Sequence, residues 1–149
     1  MELEDAQALA ARLFDQYALT GWHFAFDHSR QRLGCCRFED RTISLSRHFV
    51  RANPAALVEE TLLHEIAHAL VGPGHGHDAV WRACARQLGV PPKATSDSAR
   101  MPSPKWLLVC THCGQIAARR HRKRLQLDRI RCADCGIDRG ELNWILDTR

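Results

Sequence analysis

Two histidines and a glutamate within five residues carry the clearest chemical signal in this sequence. His64, Glu65 and His68 form an HExxH motif. Residues four apart in an α-helix lie on one face, so both imidazoles can bind one metal ion from successive turns. Glu65 then lies at the edge of that face, within reach of a metal-bound water molecule. The motif predicts a catalytic metal site; the alternative is a core helix that carries two surface histidines.

The third ligand of such a site must come from outside the motif. A catalytic zinc ion usually takes three protein ligands and keeps a fourth position for water. Three candidates follow the helix-stopping pair Gly72-Pro73, namely His75, His77 and Asp78. The residues alone leave the choice among them open. The metzincin pattern HExxHxxGxxH does not fit, because Gly72 and His75 each come one residue too late.

Four of the seven cysteines form a second set of candidate ligands. They make two CxxC pairs, each followed by glycine, at Cys110, Cys113, Cys132 and Cys135. The spacing between the pairs is within the range of structural four-cysteine zinc sites. In a chain without an export signal, the pattern favours metal over disulfides. We therefore predict two zinc ions per chain, one catalytic and one structural. The remaining cysteines are expected to be small buried hydrophobes: Cys35, Cys36 and Cys84.

The order of periodic segments predicts an α+β fold. Apolar residues at helical spacing indicate an N-terminal helix over residues 2–19, and three β-like runs follow within residues 22–46. Polar turn residues separate these runs, which favours a small three-stranded antiparallel meander covered by helices. Asn53-Pro54 is expected to start the HExxH helix as N-cap and first helical residue, and Gly72-Pro73 to end it. A further helix is expected from about His77 to Gly89.

Composition divides the chain of 149 residues into two parts. Residues 91–105 are rich in Pro, Ser, Ala and Thr without periodicity, so we expect a linker there. It separates a domain at residues 1–90 from a zinc ribbon at residues 106–149. The hydrophobic share of 45% is typical of globular proteins, and the apolar runs are too short to cross a membrane. The acidic N-terminus argues against a secretory signal, so we expect a cytoplasmic protein.

The surroundings of the HExxH motif resemble the SprT-like zinc metalloproteases, the group that includes Spartan. The matching residues are Leu62–Leu70 and Gly76–Trp81. In that family the third ligand opens the next helix, four positions before an aromatic residue. This implies His77, because Trp81 lies four residues on, rather than His75. Asp78 stands where the family often has glycine, and a carboxylate is favourable at a helix N-terminus. The resemblance covers nearly the whole chain and implies a SprT-like metalloprotease domain at residues 1–90.

The resemblance also implies an activity. It predicts a metalloendopeptidase in which Glu65 takes a proton from zinc-bound water and passes it to the leaving amine. The expected substrate is protein, including protein bound or crosslinked to DNA, because the eukaryotic members cleave DNA–protein crosslinks. The alternative is a non-enzymatic nucleic-acid-associated factor, such as a transcription accessory protein, whose HExxH zinc site is a relic.

The positive charge is concentrated near the C-terminus. The net charge is +4, and from Lys105 onward ten lysines and arginines face five acidic residues. A basic run lies between the two CxxC pairs, at Arg119, Arg120, Arg122, Lys123 and Arg124. One interpretation is a solvated hairpin. The other, favoured by the resemblance, is a patch that contacts DNA phosphates without sequence preference and associates the protein with the nucleoid. No membrane partner is expected.

Overall fold

The chain divides into two compact units, Met1–Met101 and Pro102–Arg149. The computed structural model describes residues 1–94 and 96–148. The boundary between the units falls inside the segment 91–105. In the first unit the elements are α1 Leu3–Gln16, β1 His23–Asp27, β2 Gly34–Arg37, β3 Thr42–Ser46, α2 Arg47–Ala52, α3 Ala55–Val71 and α4 Ala79–Gln87. In the second they are β4 Trp106–Cys110, β5 Ile116–Arg120, a 3₁₀ turn Leu127–Arg129, α5 Gly136–Arg139 and β6 Leu142–Leu146.

The predicted α+β class agrees with this mixture of helices and two three-stranded sheets. Among the described residues, no helix combines the length and apolar character needed to cross a membrane. The first unit has one main core, to which α1, β3, α2 and α3 contribute buried side chains. Its largest fully buried members are Phe49, Ile43, Leu45, Leu62 and Ile66.

The predicted antiparallel meander is wrong. The strand order is β1-β3-β2, and β1 pairs parallel to β3 while β2 pairs antiparallel to it. The loop between β1 and β2 must therefore cross the end of β3. Two hydrogen bonds hold this crossing, from Ser46 Oγ to the Ser29 carbonyl at 2.6 Å and from Ser44 Oγ to Asp27 Oδ2 at 2.8 Å. Every residue of the central strand β3 is buried, so its two serines need these partners.

The start of α3 also differs from the prediction. The helix begins at Ala55, with Pro54 in extended conformation before it, and Asn53 ends the unpredicted helix α2. The buried Asn53 amide donates to the Phe49 and Arg100 carbonyls at 2.7 and 2.8 Å and accepts from the Arg100 N–H at 2.8 Å. Asn53 thus links the segment after α4 to α2 instead of capping α3.

Candidate metal centre

The 17-residue helix α3 carries the whole HExxH motif. His64 and His68 lie on one face, with ring centroids 5.2 Å apart. Glu65 points toward the interior and is only 8% exposed. The helix ends at Gly72, whose φ of 86° lies in the left-handed region that glycine adopts without strain. The chain can therefore turn back toward the motif directly after the helix.

The segment after Gly72 brings His77 to the two motif histidines. His77 Nε2 lies 3.0 Å from His64 Nε2 and 3.2 Å from His68 Nε2. All three side chains can place a ring nitrogen within 4.8 Å of the others. Asp78 fixes the next helix by capping α4, since its Oδ1 accepts a hydrogen bond from the Trp81 N–H at 3.0 Å. The N-terminal cap of α4 thus sets the position of His77.

Three converging imidazole nitrogens fit a bound cation. A tetrahedral zinc ion with bonds of about 2.0–2.1 Å holds its ligand nitrogens about 3.3–3.4 Å apart, near the two observed distances. Burial, followed by the neighbouring histidines, lowers the pKa of both His64 and His68 to about 4. Burial also lowers the pKa of His77. Neutral imidazole is the form that binds metal, so the donor set suggests zinc.

His75 and Asp78, the other candidate ligands, bind each other instead. His75 Nδ1 lies 2.7 Å from Asp78 Oδ2, and neither belongs to the histidine cluster. The backbone carbonyl of His75 nevertheless serves the site, because it accepts a hydrogen bond from the ring of His68. Such a bond fixes the tautomer of a ligand histidine and leaves its other nitrogen available for metal.

Trp81 forms the wall behind the three histidines. It is fully buried, and its ring centroid lies 4.6 Å from His64, 5.1 Å from His68 and 4.4 Å from His77. The His68 ring stacks on it at an interplanar angle of 26°. A rigid indole against all three imidazoles restricts their rotamers and preorganises the site.

Glu65 lies against β2, one of the two edge strands of the first sheet. A Cβ atom at Gly34 would lie 2.9 Å from both Cγ and Oε1 of Glu65, so only glycine lets the strand approach this carboxylate so closely. Burial raises the pKa of Glu65 to about 7, while the positive charge of Arg32 and the backbone N–H of Cys36 act in the opposite direction. The carboxylate is therefore desolvated, held by a backbone donor, and suited to proton transfer near neutral pH.

These groups line a cavity of about 610 Å³ in the first unit. One side is formed by the loop before β2 and by β2 itself, with Arg32, Gly34 and Cys36. The lining also includes described residues of the segment after α4, among them Lys93 and Met101. The histidine cluster and Glu65 thus face a cavity whose volume lies in the usual range of ligand-binding pockets.

The four predicted cysteine ligands of the second unit also converge. Their sulfur atoms lie within 4.8 Å of one another, and the Cys113 and Cys132 sulfurs are 3.7 Å apart. Both CxxC pairs close in the same way. The Gly114 N–H bonds the Cys110 carbonyl and the Gly136 N–H bonds the Cys132 carbonyl, each at 3.0 Å. Both glycines have positive φ, of 74° and 67°. The four-cysteine cluster is consistent with a zinc ribbon.

The three remaining cysteines lie in the first unit and are half-buried. Burial raises the pKa of Cys36 to about 12 and also raises the pKa of Cys84. The thiols of Cys36 and Cys84 are therefore protonated, and each packs against a neighbouring hydrophobic cluster.

The side chains of the basic run in the ribbon differ in the contacts that they make. Arg119 forms an ion pair with Asp147 at 2.8 Å, and the Lys123 ammonium lies 3.7 Å from the Trp106 ring centroid. These two side chains contact the ribbon itself. Arg120, Arg122 and Arg124 are exposed, with Arg120 donating to the Arg119 carbonyl.

The sequence profile of the SprT-like family matches residues 4–100, which is about two thirds of the chain and includes the histidine cluster and Glu65. The chain belongs to the SprT-like family. The resemblance described from the motif residues is therefore confirmed at the level of the family. No curated protein and no solved structure matches the chain. Family membership and the three-histidine cluster together indicate a zinc metalloprotease-like protein.

Sequence reasoning missed two parts of the SprT-like site. Gly34 was treated as an ordinary residue of a β-like run. In the structure, the absence of a side chain at Gly34 leaves the space that the Glu65 carboxylate occupies. The segment after α4 was expected to be a linker, yet its described residues line the cavity. A glycine within a β-like run is a recognised sign of close backbone approach, so Gly34 could have been identified. No comparable local signal in the sequence indicates that the segment after α4 lines the cavity.

Proposed function

We propose that the chain is a zinc-dependent metalloendopeptidase with two zinc ions, one catalytic and one structural. The observation that carries the proposal is the meeting of three imidazole Nε2 atoms beside the buried carboxylate of Glu65 in one open cleft. His64, His68 and His77 would hold the catalytic zinc, and the four-cysteine cluster the structural one. A purely structural site would have no need of Glu65.

The residues divide the chemistry between them. Zinc, when bound, would lower the pKa of a water molecule and polarise the carbonyl of the scissile peptide bond. Glu65 would accept the proton of the attacking water and deliver it to the leaving amine. The Cys36 N–H and the close strand at Gly34 orient that carboxylate. Trp81 keeps the three imidazoles in place.

The proposed substrate is a protein held on DNA. The ribbon offers the exposed side chains of Arg120, Arg122 and Arg124 for phosphate contacts, whereas Arg119 and Lys123 are engaged within the ribbon. Arginine binds phosphate oxygens in bidentate fashion, and contacts to the backbone carry no sequence information. DNA would bring substrate proteins to the cleft at high local concentration.

The proposal is tested by incubating the protein with a DNA-binding protein, with and without duplex DNA, before and after removal of zinc by a chelator. New peptide termini detected by mass spectrometry should appear with zinc, disappear on chelation and return when zinc is restored. The absence of cleavage under every condition would favour the non-enzymatic nucleic-acid-associated factor.

Gly34→Ala is expected to impair cleavage far more than folding. The new Cβ would lie 2.9 Å from Glu65 Cγ and Oε1 and from Leu45 Cδ2, all of them side-chain atoms that can shift. The fold can therefore adjust, at a cost of about 1–3 kcal/mol, but the carboxylate moves away. A misplacement of about 1 Å can lower the rate about 100-fold. Steady-state kcat/KM and thermal unfolding measure the two effects separately.

Gly76→Ala is the matched control for this prediction. Gly76 lies in the same unit and has an ordinary φ, and a Cβ there would meet no atom within 4 Å. Its activity and melting temperature should stay near those of the unmodified protein. Equal activity of the Gly34→Ala and Gly76→Ala variants would show that the approach of β2 does not position Glu65.

A further inference from the structure

A second group of basic side chains belongs to the first unit. We call it the loop–α2 surface and define it by His28, Arg30, Arg47, His48 and Arg51. His28 and Arg51 are exposed, and the other three are partly exposed. Two segments that are distant in sequence supply these residues, the loop after β1 and the helix α2.

The fold holds the two segments together by specific contacts. Ser46, the N-cap of α2, donates from its hydroxyl to the Ser29 carbonyl at 2.6 Å and accepts from the Phe49 N–H at 3.3 Å. The loop also folds on itself, since the Ser29 N–H bonds Asp27 Oδ1 at 2.8 Å. On α2, Arg47 and Arg51 are four residues apart and so lie on one face. The surface is therefore built by ordered backbone.

The basic side chains of the loop–α2 surface lie close enough to affect one another electrostatically. Desolvation, followed by the positive charges of Arg30, His28, Arg47 and Arg51, lowers the pKa of His48. In the described part of the chain, none of the five residues takes part in an ion pair. The nearby acid, Asp27, is bound to Arg32 at 3.0 Å and to Ser44 at 2.8 Å. Such an uncompensated positive surface attracts a polyanion.

The location and composition of the surface favour nucleic acid among polyanions. A helix that binds a membrane surface needs an exposed apolar face, but Phe49 and Val50 of α2 are fully buried in the core. Three arginines supply the planar donors that suit phosphate oxygens. The loop continues from Arg30 into Gln31 and Arg32, which line the cleft of the candidate metal centre. DNA bound here would pass the mouth of that cleft.

We propose that the loop–α2 surface is a second DNA-binding surface, which contacts the phosphate backbone beside the cleft. The surface does not depend on the ribbon or on peptidase activity. A protein bound to the same DNA would be presented directly to the histidine cluster. Binding there is independent of base sequence, because phosphate contacts carry no sequence information.

The test compares two double variants of the full chain in binding to a fluorescein-labelled 20-base-pair duplex. Arg30→Gln with Arg51→Gln removes two charges from the surface. Arg12→Gln with Arg86→Gln removes two charges from exposed positions elsewhere in the same unit. Fluorescence anisotropy across a range of salt concentrations gives the slope of log K against log salt. Each lost phosphate contact reduces that slope by about 0.9, so the first variant should lose about 2 and the second almost none.

A variant with Arg30→Lys and Arg51→Lys retains the charge and should restore most of the slope, which separates electrostatics from misfolding. Equal slopes for the two glutamine variants would overturn the proposal, as would the absence of duplex binding by the full chain at low salt. Binding to phosphatidylserine vesicles without binding to the duplex would also overturn it. Since only binding is measured, the result is independent of whether the cleft hydrolyses peptides.

Discussion

His77→Ala is expected to remove both the zinc of the first unit and the cleavage that depends on it, whereas His75→Ala should keep both. His77 Nε2 closes the cluster, at 3.0 Å from His64 Nε2 and 3.2 Å from His68 Nε2. Without it only the two imidazoles of α3 remain. Loss of a partner outside the ligand shell already costs roughly 10–100-fold in metal affinity, and loss of a ligand costs more.

His75→Ala is a stringent control because it removes a histidine two residues away. The His75 ring binds Asp78 at 2.7 Å, but Asp78 can still cap α4 through its bond to the Trp81 N–H. The backbone carbonyl that accepts from His68 is unchanged by the substitution. Zinc measured by mass spectrometry should fall from two to one per chain in His77→Ala only. Loss of one zinc ion in His75→Ala but not in His77→Ala would identify His75 as the ligand instead.

Cys132→Ser is expected to unfold the second unit while the first remains folded. Among the described residues, the main buried cluster of the second unit consists of Leu108, Cys110, Cys132 and Leu142, so two of its four members are candidate zinc ligands. Leu107 is also buried but lies outside this cluster. A core this small cannot offset the chain entropy without the metal. Structural zinc contributes about 10–16 kcal/mol of apparent binding free energy in zinc-finger peptides, and zinc bound by the four cysteines would stabilise the folded second unit in the same way.

Limited proteolysis followed by mass spectrometry measures this effect region by region. In Cys132→Ser, cuts should accumulate after Met101, while the fragment up to Met101 survives. The matched control is Cys84→Ser, which changes a half-buried thiol of α4 outside the cysteine cluster. That variant should be cut as slowly as the unmodified protein. A protected second unit in Cys132→Ser would show that zinc does not hold it together.

The parts of the site that could be predicted are those with local signals. The HExxH spacing, the stop at Gly72 and the two CxxC pairs are all read within a few neighbouring residues. Such signals depend on helix geometry and turn chemistry, which short stretches of sequence fix by themselves. The choice of His77 over His75 came instead from the resemblance to the SprT-like family, and the structure places His77 and Trp81 against the motif histidines.

Strand order depends on contacts that periodicity does not encode. The runs for β1, β2 and β3 look the same whether neighbours pair in chain order or the loop crosses the end of β3. The crossing is held by Ser46 with Ser29 and by Ser44 with Asp27, pairs separated by 17 residues. The sequence pattern does not show which distant polar group a buried serine will bond, so these tertiary roles could not be expected from the sequence.

The same limit applies to the surroundings of Glu65. The desolvation that raises its pKa to about 7 comes from packing against β2, an element that precedes it by about thirty residues. The Asn53 side chain, which holds the backbone of Arg100, is another such case. Its sequence context, directly before Pro54, favoured the N-cap interpretation because local signals dominate there.

The most direct test of the proposed hydrolysis compares the unmodified protein with Glu65→Gln on the same DNA-bound protein substrate. Glutamine has nearly the same shape as glutamate but cannot accept a proton, and it leaves His64, His68 and His77 in place. We expect kcat to fall by about 10²–10⁴-fold while zinc content stays the same. Equal cleavage by the two proteins would contradict a mechanism in which Glu65 is the general base. Loss of zinc from Glu65→Gln would contradict the proposal that Glu65 acts only as a base and does not help to hold the metal.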